Sequence, residues 1–145
     1  MRVVLQRVNY GKVTVEGKTV AEIGKGIVIL LGIGPNDGNK QIEYLTKKIA
    51  NLRIFDDHEG KINRSILDIG GEAIVVSQFT LYANTHKGRR PSFTGAASPE
   101  IASPLVETFA KHLELLGVPT KKGMFGAHMT VEIHNDGPLT IFMEQ

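Results

Sequence analysis

The sequence predicts an α+β domain, a mostly antiparallel or barrel-like β-core covered by two helices. Three observations carry this. Short, apolar, β-branched segments recur along the chain, at residues 3–8, 13–20, 26–34 and 75–81. Only two stretches carry helix signals, one at about 39–51 and one from Ser98 onward. The 145 residues, 41% hydrophobic and 22% charged, suit a single domain over residues 1–145 with a sizeable core.

Val3 to Val8 is apolar at both ends and reads as a strand. Val13 to Val20 alternates apolar and polar residues on either side of Glu16-Gly17-Lys18, the pattern of a hairpin. Gly26 to Gly34 is a continuous apolar run, expected of a strand buried on both faces. Pro35-Asn36-Asp37-Gly38 is a turn and helix start. Ile42, Leu45, Ile49 and Leu52 then follow helical spacing, so an amphipathic helix is expected over about Asn39 to Asn51. Arg53-Ile54-Phe55 reads as a short strand and Asp56 to Gly60 as a polar turn. Gly70-Gly71 precedes a strand expected to run through Ser77 to Leu81. Asn84 to Ala97 is polar, basic and glycine-containing, and reads as a long functional loop. Ser98-Pro99-Glu100 starts the second helix, and Gly117 with Pro119 ends it. Pro104 is expected to kink that helix or delay its start. Met129 to His134 and Leu139 to Phe142 read as two strands around a Gly-Pro turn.

Composition excludes several classes. The longest apolar run, Ile27 to Ile33, is strand-sized and too short to span a membrane. Met1-Arg2-Val3-Val4 lacks the pattern of a signal peptide. Zero cysteines rule out disulfides and thiolate zinc sites and fit a cytoplasmic protein. A net charge of +2 does not mark a nucleic-acid binder, yet basic residues cluster at Lys87, Arg89 and Arg90 and at Lys121 and Lys122. His58, His86, His112, His128 and His134 show no metal-ligand spacing, so no metal and no organic cofactor are expected.

Two stretches carry the chemistry. Val75-Val76-Ser77-Gln78-Phe79-Thr80-Leu81-Tyr82 begins as a buried strand and then places polar side chains where packing favours aliphatics. Buried polar groups without partners cost about 1–3 kcal/mol each, which points to a pocket awaiting a polar ligand. A solvated edge strand fits the same residues. A threonine nucleophile needs a nearby base, and no His, Asp or Lys can be assigned to Thr80 from sequence. Thr80 and the amides around Phe79 therefore read as hydrogen-bond donors to a carbonyl or oxyanion. The second stretch is Asn135-Asp136-Gly137-Pro138-Leu139-Thr140, which alone reads as a hairpin turn.

Together these stretches resemble the two signature motifs of the D-aminoacyl-tRNA deacylases, Ser-Gln-Phe-Thr-Leu and Gly-Pro-Val-Thr, the latter here Gly-Pro-Leu-Thr. The resemblance covers essentially the whole chain. It implies hydrolysis of the ester joining a D-amino acid, or glycine, to the 3′-terminal adenosine of tRNA. It implies a homodimer in which Gly137 and Pro138, joined by a cis peptide bond, enter the partner's pocket and exclude L side chains. Ser77, Gln78, Phe79 and Thr80 would form the catalytic pocket. Ala102, Phe125 and Met129 would line it near the aminoacyl and adenosine groups, and Arg7 would brace the Gly-Pro element. The 2′-hydroxyl of the adenosine would activate water, which accounts for the missing base. Lys87, Arg89 and Arg90 would meet tRNA phosphates, or would simply solvate a surface loop. Three other readings remain: a sister deacylase for mischarged L-aminoacyl-tRNA, a small-ester hydrolase, and a non-catalytic module that binds tRNA ends.

Overall fold

A computed structural model describes residues 1–145. Its hub is β1 (Arg2–Val15). The first half of β1 pairs antiparallel with β3 (Gly26–Gly32), and the second half with β2 (Lys18–Ile23). Along its other edge β1 pairs antiparallel with β8 (Thr130–Glu144). β3 continues parallel to β6 (Glu72–Ser77), and β6 parallel to β7 (Thr120–Lys122). β7 then curls back towards β2, where Lys121 Nζ donates to the Glu22 carbonyl at 2.6 Å. The sheet is thus a nearly closed barrel, antiparallel around β1 and parallel around β6. β4 (Phe55–Asp56) and β5 (Ile62–Arg64) form a separate hairpin.

Two apolar layers follow from strand alternation. Val3, Leu5, Ile27, Ile29 and Leu31 face α1 (Asn39–Asn51) and α3 (Pro99–Leu115), packing with Ile42, Leu45, Ile49, Phe109 and Leu113. Val8, Val13, Ile23, Val28, Ile74 and Val76 fill the inside of the curled sheet. Each fully buried aliphatic contributes about 1.5–3 kcal/mol. β3 feeds both layers, which is why it reads as an unbroken apolar run. Gly26 opens it, because a Cβ there would lie 1.9 Å from the Glu72 carbonyl oxygen; only glycine lets β3 start against β6.

Several expectations need correction. A third helix, α2 (Ile66–Ile69), joins the two expected; Ser65 caps it, accepting from Asp68 N at 3.1 Å while Asp68 Oδ2 accepts from Ser65 N at 2.8 Å. α3 runs unbroken from Pro99 through Pro104. Proline there frees only the carbonyl of Glu100, an exposed first-turn residue where water can bond it. The short strand expected at Arg53 begins at Phe55. The strand through Ser77 to Leu81 stops at Ser77. The segments flanking Gly-Pro are no hairpin but one strand, β8, which keeps its direction along β1 and loops out locally.

Candidate active site

After Ser77 the chain leaves the sheet. Gln78 N makes a last bond to the Leu31 carbonyl at 2.8 Å, and Phe79–Tyr82 then wind into a 3-10 turn. The turn is held from behind. Arg2 Nη1 donates to the Leu81 carbonyl at 2.9 Å, and its guanidinium lies 4.4 Å from the Tyr82 ring centroid. The Tyr82 hydroxyl donates to Asp37 Oδ2 at 3.3 Å. Burial, reinforced by the Asp37 charge, pushes the Tyr82 phenol up to about 12, so it stays a neutral donor at physiological pH.

This turn forms one rim of a cavity of about 590 Å3. Ser77, Gln78 and Phe79 line it, as do Ala102 from α3 and Phe125 and Met129 from the segment before β8. Six of the residues singled out in sequence therefore meet in one cavity, from three separate parts of the chain. Thr80 sits half-buried beside it, its hydroxyl accepting from Gln78 Nε2. No carboxylate, imidazole or amine hydrogen-bonds Thr80. The amides of Phe79 and Thr80, first in the turn, have no intrahelical acceptor, and no loop or turn carbonyl takes them. Two N–H donors thus stand free beside the cavity. His128 is the one titratable side chain lining it.

Sequence reading missed part of this lining. His128, Ala97 and Pro99 contribute, and Phe93 packs edge-on against Phe79 with ring centroids 5.1 Å apart. Sequence left Phe93, which flanks the basic loop, open between burial and stacking. Nothing in local sequence ties Arg2 and Asp37 to the turn. Lys87, Arg89 and Arg90 are exposed and make no ion pair. Their loop is pinned at its base by the reciprocal Asn84–Ser92 backbone bonds of 2.7 and 2.9 Å.

Gly137 and Pro138 form the loop-out of β8, opposite Arg7, and the peptide between them is cis. Asn135 Nδ2 closes the bulge by donating to the Arg7 and Leu139 carbonyls, both at 2.9 Å. The Arg7 side chain, only 7% exposed, fans into it. Its Nε reaches Asp136 Oδ2 at 2.9 Å and the Asp136 carbonyl at 3.2 Å, and its Nη1 donates to the Ile54 carbonyl at 2.7 Å. Gly137 sits at φ +121°, and a Cβ there would lie 3.1 Å from both Arg7 Nη2 and Leu139 N, so the position requires glycine. Neither Gly137 nor Pro138 lines the cavity of its own chain. Ser77 aligns through Leu31 with Val3, four residues from Arg7 on β1. That places the bulge about 13 Å along the strands and three strand spacings, about 14 Å, across the sheet.

No group of three or more His, Cys, Asp or Glu side chains is placed to hold a metal, and no helix is long and apolar enough to cross a membrane. Residues 4–144 match the family model described as D-Tyr-tRNA(Tyr) deacylase.

The chain belongs to the D-Tyr-tRNA(Tyr) deacylase family.

The matched span takes in both the turn and the bulge. A D-aminoacyl-tRNA deacylase of Roseiflexus castenholzii is 58% identical over 144 residues, covering 99% of this chain and 92% of its own. One from Thermomicrobium roseum is 56% identical, covering 99% and 94%. The solved structure titled c-Myc DNA Unwinding Element Binding Protein superposes with a TM-score of 0.94 at 42% identity, over 100% of this chain and 99% of that one. A probable eukaryotic D-amino acid tRNA deacylase superposes at 0.83 with 17% identity, over 98% and 97%, a likeness of fold.

Proposed function

We propose that this family member hydrolyses the ester of D-aminoacyl-tRNA and of glycyl-tRNA, releasing the amino acid and rejecting L-aminoacyl-tRNA. One observation carries the mechanism: free amides at Phe79 and Thr80 stand beside the cavity with no base on Thr80. Such a site is built to bind a carbonyl and to stabilise the oxyanion formed as water attacks it. Thr80, its oxygen already accepting from Gln78, keeps its own proton free to donate. The 2′-hydroxyl of the substrate's terminal adenosine supplies the activation of water. The adenosine lies against Phe125 and Met129, the aminoacyl group towards Ser77 and Ala102, and Lys87, Arg89 and Arg90 meet phosphates outside the rim.

Chirality is read by a second copy of the chain. Gly137 and Pro138 are exposed, far from their own cavity and rigidly held by Arg7 and Asn135. In a homodimer they reach the partner's cavity and set backbone oxygens against the α-carbon, where a hydrogen fits and an L side chain does not. The outer edge of β8 supports such an assembly. It pairs with nothing, no residue of β8 is buried, and Phe142 on it is 57% exposed. The substrate, charged tRNA, makes the cytoplasm the place of action.

Incubation with D- and L-tyrosyl-tRNA tests the activity: the D ester should be lost and the L ester retained. Loss of neither returns the chain to a tRNA-end-binding module, and loss of both removes the chiral filter. Retained activity in His128→Ala is expected; abolition would make His128 the missing base. Sedimentation should show a dimer, and a fully active monomer would exclude the shared site.

A further inference from the structure

Six of the 17 Lys and Arg side chains, Arg2, Arg7, Lys12, Lys61, Lys121 and Lys122, pair with carboxylates; of those that do not, three converge on one groove. Lys47 and Lys48 have no carboxylate within 4.0 Å, and Arg53 donates to no acid but to the Asn63 amide oxygen at 3.3 Å. These three line an open groove of about 560 Å3 at the C-terminal end of α1, with Tyr44, Asn51 and Leu52. No acidic residue lines it. Tyr44 is 53% exposed, and its ring packs on no other aromatic. Arg53 also acts through its charge on Asp68, whose Oδ2 is already engaged by Ser65 N and Oγ.

A cation in the last turn of a helix has an ordinary explanation in the helix dipole, and Lys48 fits it. That explanation does not extend to Arg53, which lies beyond the helix, nor to an uncovered tyrosine between the cations. Three unpaired cations around an amide and a free aromatic face are the chemistry of a nucleic-acid contact: charge for phosphates, a ring for a base or ribose. The groove's position adds a second observation. Arg53 is followed by Ile54, whose carbonyl accepts from Arg7, and Arg7 also holds Asp136 of the Gly137-Pro138 bulge. One buried guanidinium therefore fixes the groove relative to the bulge.

We propose that this groove is a second RNA-binding surface, taking the sugar-phosphate backbone of the substrate tRNA beyond its terminal adenosine. The assignment to tRNA rests on the deacylase reading, in which the bulge meets the aminoacyl end, and on Arg7 tying the groove to that bulge.

Two variants test this: Lys47→Ala/Lys48→Ala, which removes no hydrogen bond, and the same with Arg53→Ala, each checked for an unchanged melting curve. Affinity for uncharged tRNA is read by fluorescence anisotropy over ~50–300 mM salt. Deacylation is followed on full-length D-tyrosyl-tRNA and on a D-tyrosyl CCA trinucleotide. The triple variant should bind tRNA at least ~10-fold more weakly at low salt and lower the log–log salt slope by about 2, at roughly 0.7–0.9 per phosphate contact. KM for full-length substrate should rise, with the trinucleotide reaction unchanged. Unaltered tRNA affinity and salt slope overturn the proposal, as does an equal loss on the trinucleotide, which would mean the groove acts through the cavity. Competition by poly-glutamate as effective as by tRNA assigns the groove to acidic proteins and overturns it too. If the wild-type chain hydrolyses neither ester, the deacylase reading fails, while the anisotropy slope still decides whether the groove binds RNA.

Discussion

Arg7→Ala tests both the stability of the bulge and its use. The side chain is 7% exposed and serves three partners: the Ile54 carbonyl, Asp136 and, at 3.4 Å, Asp56. Alanine leaves the buried Ile54 carbonyl without a donor, a loss of about 1–3 kcal/mol. The pair with Asp136 adds about 1 kcal/mol, discounted because Asp136 reaches water at 29% exposure. Asp56, 46% exposed, adds little. The total is about 2–4 kcal/mol, and at about 2–4 °C per kcal/mol for a chain near this size the midpoint should fall by roughly 5–15 °C. Arg7→Lys keeps the charge but only one of the contacts and should recover part of the loss. Thermal unfolding followed by circular dichroism reads the stability. Deacylation of D-tyrosyl-tRNA at a temperature where both proteins are folded reads the bulge. Activity should fall in Arg7→Ala and return partly in Arg7→Lys. A midpoint within ~2 °C of wild type, together with full activity, would refute the bracing role.

Thr80→Ala should lower kcat/KM by about 5- to 150-fold, the ~1–3 kcal/mol of a donor whose loss leaves Gln78 and the substrate unpaired; a trapped acyl adduct on Thr80 would instead mark a nucleophile. Gly137→Ala forces an L side chain to φ +121° against Arg7 and Leu139 and should cost about 1–3 kcal/mol in a urea melt; an unchanged midpoint would mean the bulge is looser than its contacts imply. Acid should weaken the fold through Asp57 and Asp68, whose carboxyls are held below the usual range by hydrogen bonds, from Lys61 N and Glu59 N and from Ser65 respectively. Depressed carboxyls contribute stability above the unfolded-state value, near ~4, and lose it as pH falls through their lowered folded values. Asp68→Asn should therefore flatten the decline in melting temperature below about pH 4, and a decline as steep as wild type would locate the acid sensitivity elsewhere.

Elements whose signal is local were legible in sequence. α1 spans Asn39–Asn51 as its apolar spacing says, and β3 is a doubly buried run between glycines. The exit from β6 was not legible. Ser77 to Leu81 has strand-like composition, and what turns it is tertiary: Arg2, from the other end of the chain, holds the Leu81 carbonyl, and Tyr82 anchors on Asp37. The bulge escaped for a similar reason. Asn-Asp-Gly-Pro is turn-forming in isolation, but β1 supplies pairing on both sides of it, so the chain bulges where it would otherwise reverse. α2 had a readable mark in Ser65-x-x-Asp68, outweighed by its length of four residues. Ser77, Gln78 and Phe79 stood out because polar groups at the end of an apolar strand demand partners, whereas Ala102, Phe125 and Met129 came only from the family resemblance. His128 was set aside with the other histidines because none has metal-ligand spacing, and a single histidine carries no spacing of its own.

The pairing of β1 with β8 also sets the order in which the molecule can be made. Arg2 bonds Glu144 across 142 residues of sequence, and the Asn135 bond to the Arg7 carbonyl spans 128. Closing loops of that length costs about 4 kcal/mol of chain entropy before any contact repays it, and domains dominated by such distant pairings fold in milliseconds to seconds. On a ribosome the curled sheet around β3 and β6, with its cavity floor, can assemble while the last strand is still unsynthesised. The Gly137-Pro138 element comes last. A nascent chain therefore carries the free Phe79 and Thr80 amides before it carries the Gly137-Pro138 bulge, and the open edge of β1 is exposed to wrong pairing for the whole of that interval.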